Sequence, residues 1–196
     1  MDPVRSFPRR TALGGVAVLL GALVVHAAEA PSVVVASGDH VARTTAAPSA
    51  KAPSVTARRA LTALATATSS VRNGRPYDIE ADRYRGRPVW EVTVAVRAAR
   101  PHLLRISADG ERVLTHRRRR PEADATRAWR ARVPLARAIR VADRRVRGIF
   151  READIERHRG VVVWSVEFLR PGARGEVEVT VSARTGAVMR VEVDDR

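Results

Sequence analysis

The 196-residue chain has no cysteine and a formal net charge of +15. The missing cysteines exclude disulfides, thiolate metal sites and cysteine nucleophiles, so the folded part is held by packing alone. Aromatic residues make up only 4% of the chain, which leaves Val, Leu, Ile and Ala to build the core.

The charge is almost wholly arginine, Lys51 being the one lysine. It has two readings. One is a polyanionic partner such as nucleic acid, anionic lipid or cell-wall polymer. The other is the joint enrichment of Arg, Ala, Val, Gly and Pro in a GC-rich genome. The arginines are spread along the chain and not gathered on one face, which favours the second.

Residues 1–30 read as a targeting segment: Arg5, Arg9 and Arg10 precede a run from Thr11 to Ala28 without acidic or basic residues other than His26. Small residues at Val25-His26-Ala27 and Ala28-Glu29-Ala30 offer cleavage sites. Uncleaved, the run is long enough for a signal anchor, and its basic N-terminal flank puts the rest of the chain outside the cytoplasm. Residues 31–53, rich in Ala, Ser, Thr, Val and Pro, read as a flexible spacer.

From Ser54 onward two stretches correspond at a spacing of about 75 residues. They are expected as modules at 54–116 and 133–196, joined by a basic linker at 117–132. Ala60-Leu61 matches Ala138-Ile139, and Gly86, Val89, Trp90 and Val92 match Gly160, Val163, Trp164 and Val166. Ile106-Ser107-Ala108 matches Val181-Ser182-Ala183, and Val113-Leu114 matches Val188-Met189.

Each stretch opens with a helical pattern. Leu135, Ala138, Ile139, Ala142 and Val146 form one apolar stripe, with Pro134 in the first turn and Gly148 at the end. Ala57, Ala60, Leu61, Leu64 and Thr68 repeat that spacing more weakly. Strands follow: Val162, Trp164, Val166 and Phe168 alternate with other residues, as do Val177, Val179, Val181 and Ala183. Such period-two alternation indicates antiparallel strands with one buried face. Arg159-Gly160, Pro171-Gly172 and Thr185-Gly186 mark turns. The expected fold class is α+β, with a helix across a small antiparallel sheet in each module.

The two stretches resemble the PepSY domain family, the peptidase propeptide and YpeB-like domain. Its pattern is a helix with an Ala-Ile/Leu pair, an aromatic-x-Val strand, and a hydrophobic-Asp-Ala-x-Thr-Gly-x-Val turn. The second stretch carries Ala138-Ile139, Trp164-Ser165-Val166, and Val181-Ser182-Ala183-Arg184-Thr185-Gly186-Ala187-Val188. The first carries Ala60-Leu61, Trp90-Glu91-Val92 and Ile106-Ser107-Ala108-Asp109-Gly110. Ser107 and Ser182 stand where the family often has Asp, and the first stretch lacks the turn threonine. PepSY domains occur in propeptides of secreted metallopeptidases, where they are proposed to inhibit the peptidase, and in exported or membrane-anchored bacterial proteins. The resemblance implies a tandem, non-enzymatic module, secreted or anchored on the outer side of the membrane, with an extracytoplasmic protein partner such as a peptidase.

No catalytic, cofactor or metal motif stands out: the chain lacks a HExxH helix, a GxSxG elbow and a phosphate loop. His102, His116 and His158 are not spaced as ligands on one element. Two acidic trios recur, Asp78-Glu80-Asp82 and Glu152-Asp154-Glu156, and read as solvated strand faces paired with arginines such as Arg83 and Arg157. Arg117, Arg118, Arg119 and Arg120 form the densest basic run and the one candidate site for an anionic polymer or membrane surface. That surface carries the alternative function, an envelope structural or adhesion protein. Nucleic acid is disfavoured as a partner, because stacking aromatics are few.

Overall fold

A computed structural model describes residues 53–172 and 175–194 of the chain. These residues lie in one unit that starts at Ala47; the expected targeting segment, and the spacer up to Ala52, fall outside them.

The first half contributes helix α1 (Val55–Ser70) and strands β1 (Arg75–Tyr84), β2 (Arg87–Ala95), β3 (His102–Ser107) and β4 (Val113–Arg118). A short helix α2 (Ala123–Arg130) follows. The second half contributes α3 (Leu135–Arg145), β5 (Ile149–His158), β6 (Val161–Leu169), β7 (Glu176–Ser182) and β8 (Val188–Asp194). All eight strands belong to one antiparallel sheet in the order β4-β3-β2-β1-β5-β6-β7-β8. The mixed helix and antiparallel-sheet class expected from the sequence is therefore present.

Helix α3 forms on the expected stripe: Leu135, Ala138, Ile139 and Ala142 are buried, and basic Arg144 and Arg145 sit in the last turn, where they complement the helix dipole. Pro134 lies one position earlier than expected, as the N-cap residue. Helix α1 is turned relative to its expected stripe. It buries Ala57, Ala60, Ala63, Leu64 and Ala67, while Leu61 is half-buried and Thr68 is exposed. Four alanines on the buried face let the helix axis come close to the strands beneath.

Both helices feed one core. Ile79, Trp90, Val92, Leu104 and Ile106 from the first half join Phe150, Ile155, Trp164, Val166 and Phe168 from the second in a single buried cluster. Polar ties also cross between the halves. The Ser54 backbone N–H, at the N-cap of α1, donates to the buried Asp143 carboxylate of α3 at 3.0 Å. The Phe150 N–H donates to the Thr56 hydroxyl at 2.9 Å.

Residues 117–132, expected as a basic linker, contain ordered elements. Arg117 and Arg118 end β4, and 123–130 form α2. The N–H groups of Arg132 and Val133 both donate to the Ala183 carbonyl, at 2.9 and 3.0 Å. Arg75 stacks on the Trp129 ring and donates to the Ala128 and Trp129 carbonyls. An eight-residue helix that fully buries only Ala128 has little apolar period to reveal it. Its signal lies in its charges, Asp124 in the first turn and Arg127 and Arg130 in the last.

Ser107 and Ser182, at the ends of β3 and β7, act as acceptors in the turns that follow. Ser107 Oγ accepts from Arg112 N at 3.0 Å, and Ser182 Oγ accepts from Arg184 N and Thr185 N at 3.3 and 3.2 Å. Gly110 N donates to Ser107 O, and Gly186 N to Ser182 O, both at 2.8 Å. Gly110 has φ +89°, and a Cβ there would meet the Arg59 carbonyl at 2.6 Å. Gly110→Ala is therefore expected to cost about 2 kcal/mol. Gly86→Ala, with φ +75° but open space around it, is expected to cost about 1 kcal/mol. Thermal unfolding of the two variants checks the difference, and equal losses would show that the α1 contact is not restrictive.

Candidate partner-binding face

The acidic trios define the face of the sheet turned away from α1 and α3. On β1, Ile79 points into the core, so Asp78, Glu80 and Asp82 project from the other face; on β5, Ala153 and Ile155 point inward and Glu152, Asp154 and Glu156 project outward. The strands β1 and β5 meet at the seam of the sheet. There Asp78 stands opposite Asp154, and Glu80 opposite Glu152.

The register extends the second of these pairs in both directions. Glu80 faces Glu91, Glu152 faces Glu167, Glu167 faces Glu178, and Glu178 faces Glu192. Six glutamates thus form one row across six adjacent strands, spaced by the interstrand distance of about 4.8 Å. Like charges directly opposite one another repel, and partial burial removes the water that would screen them. Burial first, and Glu152 and Glu91 next, push the Glu80 carboxyl up to about 7. Burial, then Asp78 and Glu152, push Asp154 up to about 8. Glu167 rises to about 7 through burial and Glu152, and Glu156 is also raised, by burial and Glu178.

Arginines answer the row mainly toward its ends. Arg105 Nε donates to Glu91 at 2.9 Å while its guanidinium lies 4.7 Å from the centre of the Tyr84 ring. Arg151 contacts Glu167 at 3.6 Å and also bonds Glu176. Arg190 pairs with Glu192. The expected partner Arg83 instead donates to the Gly86 carbonyl at 3.1 Å, and Arg157 is exposed. The trios are thus half-buried and face one another across the seam, which differs from a simply solvated face. Helix α2 lies over one end of this face, with Asp124 near Asp154 and Arg127 near Glu156. Beneath it the Tyr77 hydroxyl is buried, and burial with Glu122 and Asp78 raises its pKa.

The arginine run is not one surface. Arg117 and Arg118 lie on β4 opposite Leu103 and His102. Arg119 turns back: its N–H donates to the Pro101 carbonyl at 2.8 Å, and its guanidinium reaches the Thr93 hydroxyl and Glu122. Arg117, Arg118 and Arg120 remain exposed. His102 and His116, 14 residues apart on the paired strands β3 and β4, come together with ring nitrogens 2.6 Å apart. Among the described residues no group of three or more His, Asp or Glu side chains is arranged to hold a metal ion.

On the opposite face a cavity of about 530 Å³ opens between α1, α3 and the start of β1. Leu61, Leu64, Leu135, Ala136 and Trp164 line it, with Arg75 and Arg140 among its polar groups. The sequence patterns gave no sign of this groove, because residues from separate elements, α1, α3, β1 and β6, line it together. The carboxylate row leaves a sequence trace, the Glu-x-Glu alternation, but only the register shows that the strands align it.

Residues 132–192 match the family model for the PepSY domain, the peptidase propeptide and YPEB domain. No curated protein matches the chain. Among solved structures, a candidate lipoprotein from Clostridium difficile 630 is similar at 17% sequence identity and a TM-score of 0.42, over 67% of this chain and 90% of that one. Among the described residues no helix is long and apolar enough to cross a membrane.

Proposed function

We propose that the protein is a non-enzymatic binding module that acts outside the cytoplasm on a partner protein, as an inhibitor or regulator of a peptidase. The observation that carries this reading is the match of residues 132–192 to the peptidase propeptide and YPEB domain. On the same reading residues 54–116 are a second, more diverged module of this kind, since Trp90 on β2 and Trp164 on β6 hold matching places opposite Ile106 and Val181. Residues 1–30 would direct export, and the spacer would stand the folded part off the membrane or wall. The apolar groove and the acidic row are two chemically distinct surfaces for a partner: one takes apolar side chains, the other basic ones.

The test is a titration of the purified protein into peptidases secreted by the producing organism, with casein hydrolysis as the readout. Inhibition is expected to change less than about threefold between 0.05 and 0.5 M NaCl, because packed interfaces are weakly screened. No inhibition of any secreted peptidase would sink the peptidase reading. The exposed Arg117, Arg118 and Arg120 favour the alternative of an envelope protein held to anionic polymer or lipid. That reading predicts retention on isolated envelopes that collapses over the same salt range.

A further inference from the structure

We infer that the outer edge of β8 is a self-association surface, on which two copies of the chain pair their β8 strands antiparallel about a two-fold axis through Val191. Strand β8 ends the sheet, and among the described residues its outer edge has no strand neighbour. Such an edge presents unpaired backbone donors and acceptors. Its core-side residues Val191 and Val193, opposite Val179 and Val177, remain 40% and 54% exposed. Its other side carries Arg190 and Glu192, opposite Thr180 and Glu178.

The order of these residues is self-complementary. With the axis through Val191, that residue meets its own copy, and Met189, at the register shift of β8, marks the end of the regular stretch. Arg190 meets Glu192 of the second copy twice, so both ion pairs form at once. Moving the axis to Arg190 sets that residue against its own copy; moving it to Glu192 pairs Arg190 with Asp194 but sets Glu192 against its own copy; and moving it to Val193 sets Glu192 against Asp194. Directly opposed like charges destabilise a strand pair and opposite charges stabilise it, so the Val191 register, with two ion pairs and no opposed like charges, is favoured. The axis stands perpendicular to the sheet. Both helix-bearing faces therefore stay on one side, where the exposed valines of the two copies form one apolar strip, as an isologous contact requires.

The other free edge lacks this property. Strand β4 carries His116, Arg117 and Arg118 and no carboxylate, so pairing β4 with itself brings basic residues together without an acid to answer them. Lysine- or arginine-rich edges are a common protection against such pairing. Seven residues per copy make a small contact, and a dissociation constant on the order of 10–100 µM is expected.

Sedimentation velocity of the full chain from about 1 to 300 µM tests this, with a monomer–dimer equilibrium expected. Arg190→Glu or Glu192→Arg alone should weaken the dimer by about tenfold or more, since each converts two attractions into two repulsions. The double exchange should restore it to within about threefold. These side chains are 46% and 43% exposed, and circular dichroism will show whether the variants keep the fold. A second measurement tests the register independently in this cysteine-free chain. Val191→Cys should form a disulfide-linked dimer under mild oxidation, because opposed residues across an antiparallel pair lie within disulfide reach. Val193→Cys should not. A monomer at every concentration, single reversals that dimerise as well as the parent, failure of the double exchange, equal cross-linking at both positions, or growth beyond a dimer would each overturn the inference.

Discussion

Replacing Trp164 with alanine is expected to destabilise the fold by about 3–5 kcal/mol, more than the same change at Trp90 by about 1 kcal/mol. Trp164 is 1% exposed, and its indole N–H donates to the Val133 carbonyl at 3.0 Å. Truncation there opens a large void beside the groove and leaves that carbonyl without its donor. Trp90 is 6% exposed and donates to the Ala108 carbonyl at 3.2 Å. Its ring also packs against Phe150, 5.8 Å away on β5, and Phe150 in turn contacts Phe168 at 5.9 Å. The Trp90 cluster therefore spans the seam. Each variant is expected to lose its structure in one cooperative urea transition, because the two halves share a buried cluster. Two separate transitions would show that the halves fold independently. A greater loss at Trp90 would place the dominant packing at the seam.

Stability is expected to fall as the pH rises from about 5 to 8, by on the order of 3 kcal/mol. In the folded protein Glu80 and Glu167 hold their protons to about pH 7, and Asp154 to about pH 8. In the unfolded chain these groups ionise near their ordinary values of about 4. Between those limits the folded state binds more protons. The stabilisation is therefore complete below the unfolded pKa and is lost as the pH passes the folded one. The figure stands well below the sum of the separate shifts, because the carboxyls are partly hydrated and share one repulsion. His102, whose pKa is lowered by burial, His116 and Arg118, acts in the opposite direction below its ordinary value. Denaturant titrations at pH 5, 6.5 and 8 measure the trend. Asp154→Asn should flatten it, since the amide cannot ionise while it keeps the shape. A stability that rises over this interval, or an unchanged slope in Asp154→Asn, would remove the carboxylate row as its cause.

Much of the local structure was legible in the residues themselves. The stripe from Leu135 to Ala142 becomes α3, and the alternation through Trp164 and Phe168 becomes β6. The glycine turns at Arg159-Gly160 and Thr185-Gly186 fall between strands. These patterns are repeated choices between burial and exposure, and each can be read without knowing which neighbour covers the buried side. Helix α1 was less legible, because alanine is compatible with either face and its stripe could be placed one residue off.

What the tertiary structure decided was the joining. Strands β1 and β5 meet in only three residue pairs, Asp78 with Asp154, Ile79 with Ala153 and Glu80 with Glu152. That contact links residues far apart in the chain and has no local period. It makes one sheet and one core from two halves, and it turns two separate acidic trios into a continuous row of carboxylates. The same holds for α2, whose partners lie on other elements. The sequence by itself determined the elements and their buried faces, because burial is selected residue by residue. The register between distant strands depends on the summed packing of the whole core, so the charges it aligns became visible only in the folded molecule.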